Sequence, residues 1–545
     1  MIVKTEINTY LSVIDEYGRI ITNQILVVAK AGHGKTLATE QIAEKLHRLG
    51  CLVLVIADPK DEMEFCYQMF KPEEKYHLNL CRKFGVTPSG KKVKIYHPFT
   101  FNLPSTPLPE MNLFTFSLKD LGRKEWGLLA ETNWDTETMT LLLKASAEIS
   151  KEDGLYGIMH YIQNAVKGKK SGKEKKADPK NFYLDASSGT LKEVTKISGY
   201  LQPFKKDYFL SKDNCPLKID WKKILTDQEH YHVFVSKWVK DEKLKDFIVL
   251  ALLNGIIENK DLLKHPIVVV IPEIRKQTPF RADGHKKFLA ENIKDCLSLM
   301  RSSGRGMNSL LDTQVWSGVD EDVRNSATLT FFGELGGGKD IENVIKAYPF
   351  FKGDFKNKIE KMDYPRSYVV SGVRNMSVKD IDEITFIPPS SMHGEEHYNF
   401  IEMYKKHFPE KMRSYHEIIS MMKKMYAEEE AKFREKVKRK EKEEKERRER
   451  ERKAKEEAKK EREKGNGKPE KKKEREIKDK QKIMKICYEM KQENPDMSFR
   501  QIGKKLELNH KTVSKYVSEY AKIKEQEDAK DFEEKVLEDL NEDNL

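Results

Sequence analysis

The stretch "QILVVAKAGHGKTLATEQIAEKLHRLG" (24–50) decides how the rest of the chain is read. It opens with the apolar run "QILVVA" (24–29), passes through the small-residue turn "AKAGHGKT" (29–36), and continues as a helical pattern that Gly50 caps. A strand, a Gly-rich turn and a helix in that order bring successive backbone N–H groups to one point, where a phosphate is bound. In this reading Gly32, His33 and Gly34 wrap the phosphate, Lys35 sets a cation beside the β- and γ-phosphates, and Thr36 offers a hydroxyl to Mg²⁺. Ala29 opens the loop where the pattern usually has Gly. A turn can be made there without Gly as long as the backbone is not left-handed. The segment predicts a site for ATP with Mg²⁺.

Working outward, five more short runs share the character of "QILVVA": "CLVLVIA" (51–57), "HVFVS" (232–236), "PIVVVI" (266–271), "SLLDTQ" (309–314) and "TLTFFGEL" (328–335). Apolar runs of this length, bounded by polar or turn residues, read as strands covered on both faces. Helical patterns lie between them, so the expected fold is α/β with a mostly parallel sheet. A phosphate loop on one strand asks for a carboxylate at the end of another. "HPIVVVIPEIRK" (265–276) supplies Glu273 as the base that polarises an attacking water, while Pro272 stands where an Asp for the magnesium shell is usual. Asp58, at the end of the run 51–57, is a candidate to help hold the ion through water.

The chain has 545 residues and a formal net charge of +12, which suits a polyanionic partner such as nucleic acid. Its six cysteines form no CxxC pair and no zinc-finger spacing, as expected of a reducing cytoplasm. The first residues lack the apolar run of a signal peptide, and the longest apolar stretch, "FIVLALLNGII" (247–257), is too short for a bilayer. These features point to a soluble cytoplasmic protein.

The organisation expected is a P-loop ATPase domain over 1–426. Within it, residues 110–225 are less regular and carry a Lys-rich loop, "VKGKKSGKEKKADPK" (166–180), which reads either as a phosphate-contacting groove or as a solubilising linker. Residues 427–480 are almost wholly charged, with i,i+4 pairs and few apolar positions, and read as a solvated helical linker. Residues 481–524 return to globular composition and read as three short helices. Ser498 caps the second and Asn509 the third, and Ile502, Leu506, Leu508, Val513 and Val517 fall on the core face. Residues 525–545 form an acidic tail, either a docking segment for a protein partner or a frayed end.

With those segments in order, the chain resembles the FtsK/HerA superfamily of DNA-pumping ATPases, which includes chromosome translocases, conjugative coupling proteins and viral packaging ATPases. The resemblance covers roughly residues 20–395. It rests on "VVAKAGHGKT", on "GCLVLVIADPKDEMEF" (50–65) with Asp58, Pro59, Lys60 and Glu62, on "VVVIPEIRK", on "MRSSGRGMNSLLDTQVWSGVDEDVRNSATLTFFGEL" (300–335), and on the proline-rich "FIPPSSMHGEE" (386–396). It implies a RecA-like core acting on double-stranded DNA, ATP bound between subunits of a hexameric ring, and an arginine finger from the neighbour, Arg305 or Arg301. Gln314 then reads as a sensor of the γ-phosphate, or as a polar strand cap, and Asn325 matches a later polar position. Residues 481–524 resemble a helix-turn-helix whose recognition helix offers Asn509, His510, Lys511, Ser514 and Lys515 to DNA; a helical protein-docking module is the other reading. Two functions follow: a DNA translocase, or an ATP-switched DNA-binding regulator or replication/partition protein with little turnover.

Overall fold

In a computed structural model the described residues are 11, 22–56, 63–130, 143, 157–158, 210–211, 215–348, 355–362, 366–371, 381–393, 399–464 and 469–542. The Lys-rich loop 166–180 and the segment with Asp58, Pro59, Lys60 and Glu62 lie outside them. The chain divides into two units, Met1–Glu435 and Lys436–Leu545.

Among the described residues the first unit has twelve strands: β1 (Gln24–Val28), β2 (Leu52–Val55), β3 (Val93–Pro98), β4 (Asn112–Phe114), β5 (Phe116–Ser117), β6 (Leu210–Ser211), β7 (Tyr231–Phe234), β8 (Ile267–Ile271), β9 (Met307–Thr313), β10 (Leu329–Phe332), β11 (Arg366–Ser371) and β12 (Ile381–Thr385). Ten of them make one sheet in the order β12-β11-β10-β1-β9-β8-β2-β7-β3-β4; β5 and β6 pair separately. From β10 to β4 every pairing is parallel, and only β11 and β12 join antiparallel. All six apolar runs are strands, and they form the middle of this sheet. The architecture is α/β, with a mostly parallel sheet covered by helices.

The reason is visible in β1. Its five residues are all buried, and they alternate between two cores: Leu26 and Val28 join one cluster, Ile25 and Val27 the other. A strand can be apolar at every position only when both faces of the sheet are covered. The helix Lys35–Arg48, here α1, returns from β1 and packs Ile42, Ala43 and Leu46 on the second cluster. It ends as the sequence predicts: Gly50 has φ 93°, and Cys51 N donates to Leu46 O at 3.0 Å. On the other face lies the apolar helix Glu242–Glu258, capped by Asp241, whose side chain accepts from Lys243 N and Leu244 N. All six cysteines are buried, and none is in a disulfide.

In the second unit the helix Pro469–Glu493 is followed by Phe499–Lys505 and His510–Glu542. The end of the charged run, from Pro469, and the first of the three short helices therefore share one helix, and the third helix continues through the acidic tail to Glu542. Cys487, Ile502 and Val513 form the buried centre, with Leu506, Leu508 and Val517 packed around it. Ser498 makes a reciprocal capping box with Gln501. Among the described residues no helix is long and apolar enough to cross a membrane.

Candidate functional site

The loop after β1 emerges at the C-terminal edge of the sheet, flanked by β9 and β10. Ala29 is 3% exposed; its N–H reaches Thr313 O at 3.3 Å, and Gly333 N donates to Val28 O at 2.8 Å. Ala29 is absent from the left-handed region, which Gly32 (φ 76°) and Gly34 (φ 75°) occupy instead. The substitution at the first loop position is thus tolerated because the strained turns fall two glycines later. Gly34 caps α1 without any side-chain hydrogen bond, and no acidic residue lies in the first turn. The positive end of the helix is left open to an anion.

Lys35 is nearly buried and meets two carboxylates. Its Nζ lies 2.8 Å from Glu273 Oε1 and 2.5 Å from Asp312 Oδ1. Burial pushes the ammonium pKa down, but the Asp312 and Glu273 charges more than offset it, so Lys35 is held above its usual value. Glu273 follows β8 with φ 48°, left-handed for a residue with a Cβ. Its N–H donates to Asp312 Oδ1 at 2.9 Å, which fixes that conformation. Asp312 also accepts from Thr39 Oγ1 at 3.3 Å, and it is 1% exposed. One buried carboxylate therefore ties the loop lysine, the candidate base and α1 together.

Asp312 lies in the run "SLLDTQ", read from sequence for Thr313 and Gln314. No local pattern marks it, because a lone carboxylate in an apolar strand signals nothing until the strand's neighbours are known. They are β1 and β8, which carry the loop and the base, with β9 between them. Glu334, after β10, was likewise missed. Its backbone O accepts from Lys30 N at 2.8 Å, and its carboxylate pairs with Lys30 Nζ and with His33 Nδ1, the latter at 2.5 Å. Thr36 Oγ1 donates to Glu64 Oε1 at 3.1 Å.

The expected residues fall into two places. Gly32, His33, Gly34, Lys35, Thr36 and Glu273 gather at one edge, and Gln314, half-buried, follows β9 on the same edge. Arg301, Arg305 and Asn325 lie at the other. Arg305 precedes β9 and pairs with Asp261 at 3.0 Å, both side chains exposed. Arg301 and Asn325 line a polar cavity of about 560 Å³ with Gln24, Lys294 and Asp322. The seven residues of β9 span roughly 20 Å at about 3.3 Å each. Neither arginine reaches a phosphate on its own chain's loop.

In the second unit Asn509, His510, Lys511 and Lys515 are exposed, and Ser514 is half-buried. Asn509 Oδ1 accepts from Lys511 N at 3.0 Å and starts the helix. Lys515 pairs loosely with Glu519 at 3.7 Å.

No protein-family model matches the chain, and no curated protein matches it. Solved structures do. The bacterial conjugative coupling protein TrwBdeltaN70, in an unbound form, has a TM-score of 0.44 and 13% identity, covering 69% of this chain and 88% of its own. The plasmid coupling protein TrwB in complex with ADP and Mg²⁺ has a TM-score of 0.43 and 13% identity, covering 68% of this chain and 88% of its own. The genome packaging NTPase B204 from Sulfolobus turreted icosahedral virus 2, in complex with ATP-gammaS, has a TM-score of 0.23 and 12% identity, covering 31% of this chain and 73% of its own.

Proposed function

We propose that this chain is an ATP-driven motor that moves double-stranded DNA, working as a hexameric ring and carrying a DNA-binding helix-turn-helix at residues 481–524. The observation that supports it best is the meeting of Lys35 and Glu273 at one sheet edge, held by Asp312. ATP is bound by the N–H groups of Gly32, His33 and Gly34 and by Lys35, with Thr36 toward the magnesium ion. The ion supplies charge neutralisation between the β- and γ-phosphates when bound. The arrival of a phosphate at Lys35 draws the ammonium from its carboxylates, which frees Glu273 to hold the attacking water. Gln314 reads the γ-phosphate, and Arg305 or Arg301 of an adjacent subunit neutralises charge in the transition state. Asn509, His510, Lys511, Ser514 and Lys515 contact DNA. The charged helix His416–Lys464 tethers that module and raises its local concentration on the same duplex.

The alternative, an ATP-switched DNA-binding regulator with little turnover, is favoured by one feature: Pro272 where an Asp is expected. The deciding experiment measures ATP hydrolysis with and without duplex DNA for the wild type, Lys35→Ala and Glu273→Gln. The motor requires DNA-stimulated turnover that both substitutions abolish. Nucleotide-dependent assembly on DNA with negligible turnover would establish the switch and sink the motor.

A further inference from the structure

Pro272 removes the carboxylate that would normally face the phosphate-loop hydroxyl, yet that hydroxyl does not lack one. Thr36 Oγ1 donates to Glu64 Oε1 at 3.1 Å. We propose that Glu64, with the Thr36 hydroxyl, is the protein's ligand set for the divalent cation that accompanies the nucleotide. The proposal rests on the nucleotide reading of the loop.

Three observations carry it. The first is position. Glu64 opens the 3₁₀ turn Glu64–Met69 that follows β2, and the residue before it, Met63, is left-handed at φ 61° with a fully buried side chain. A non-Gly residue in that region costs about 1–3 kcal/mol, and such strain collects where a side chain must be aimed. Here it brings Glu64 to α1.

The second is the environment. Glu40 lies one turn beyond Thr36 on α1. It is 0% exposed, and neither of its carboxylate oxygens has a hydrogen-bond partner. A buried carboxyl group with no hydrogen bond to satisfy it, beside a second carboxylate, is a cost that positive charge would offset. A divalent cation on Glu64 meets that need.

The third is the chemistry of the donors. A hydroxyl and one carboxylate, completed by phosphate oxygens and water, form the oxygen-only set that magnesium takes in nucleotide sites.

The test uses the full chain, Mn²⁺ as a paramagnetic probe of the ion site, and a fluorescent ADP analogue. In EDTA, Glu64→Gln is expected to bind the analogue as the wild type does, showing that the loop is folded. With ADP present, its affinity for Mn²⁺, read by electron paramagnetic resonance, is expected to fall about tenfold or more. Wild-type Mn²⁺ affinity in Glu64→Gln would overturn the proposal. So would a loss confined to Asp58→Asn. Failure of the wild type to bind the analogue, in EDTA and in Mg²⁺ alike, would remove the nucleotide reading itself and this proposal with it.

Discussion

Asp312 accepts from three donors on two elements: Lys35 and Thr39 on α1, and the backbone of Glu273 after β8. Replacing it therefore separates charge from geometry. Asp312→Asn keeps an acceptor for Glu273 N but removes the anion that partners Lys35. Under the motor reading, steady-state kinetics are expected to show kcat reduced by at least about tenfold with KM changed less than about threefold. Lys35, one anionic partner short, would hold Glu273 more tightly and slow its release to the attacking water, while nucleotide binding by the loop persists. Asp312→Ala also leaves a buried ammonium one partner short, and urea denaturation is expected to show a loss of about 3–5 kcal/mol. Equal stability of the two variants would refute that ranking. Lys35, Thr36 and Glu273 could be read from sequence because each sits in a local pattern with a chemical rationale. Asp312, Glu334 and Glu64 could not, since their partners lie 277, 304 and 28 positions away and meet them only after the sheet forms.

The turn between the helices Phe499–Lys505 and His510–Glu542 shows how an element can be tighter than its pattern. Gly503 stands where Ala is common in such turns, and a Cβ there would lie 2.4 Å from the Leu508 carbonyl oxygen. Leu508 N donates to Gly503 O at 2.8 Å, so the two backbones are already in contact. Gly503→Ala is expected to open this turn. Four residues on, Glu507 takes φ 54°, the left-handed position that closes a helix and usually carries Gly. Glu507→Gly removes a strain of about 1–2 kcal/mol and adds about 0.5–1 kcal/mol of chain entropy, a net gain of roughly 0.5–1 kcal/mol. Hydrogen exchange of amides 499–518 in the full chain should slow for Glu507→Gly and quicken for Gly503→Ala. A second element, the β3–β7 edge, carries two buried histidines. Burial lowers His97 to about 3 and His232 to about 4, outweighing their hydrogen bonds to Pro98 O and Asp227 O. Both are neutral in the fold, while in the unfolded chain they titrate near 6.5. Stability is therefore full above pH 6.5 and declines as pH falls from there toward 4, by about 1.4 kcal/mol per pH unit for each histidine. Denaturation midpoints between pH 7.5 and 5 should fall less steeply in His232→Gln than in the wild type; parallel curves would exclude this cause.

At the scale of the whole molecule, the middle of the sheet was legible because strands buried on both faces are apolar at every position. The margins were not. β3 opens with two half-exposed residues, β4 (NLF) is only three residues long, and β12 (IDEIT) mixes apolar and polar residues without alternation, so none gives a clear strand signal. The order of strands was beyond reach of any local pattern. It places β1 between β9 and β10, and Asn23 bonds Asn308, 285 positions away. That placement has a consequence for how the protein is made. The residues of the phosphate loop leave the ribosome well before either strand that holds them, since β9 and β10 follow about 280 to 300 positions later. At about 5–20 residues per second, β1 waits roughly 15–60 s for β9 and β10. Through that interval it is an apolar, unpaired strand, a natural client for a chaperone. A nascent chain arrested before β9 should capture no nucleotide, and one arrested well past β10 should.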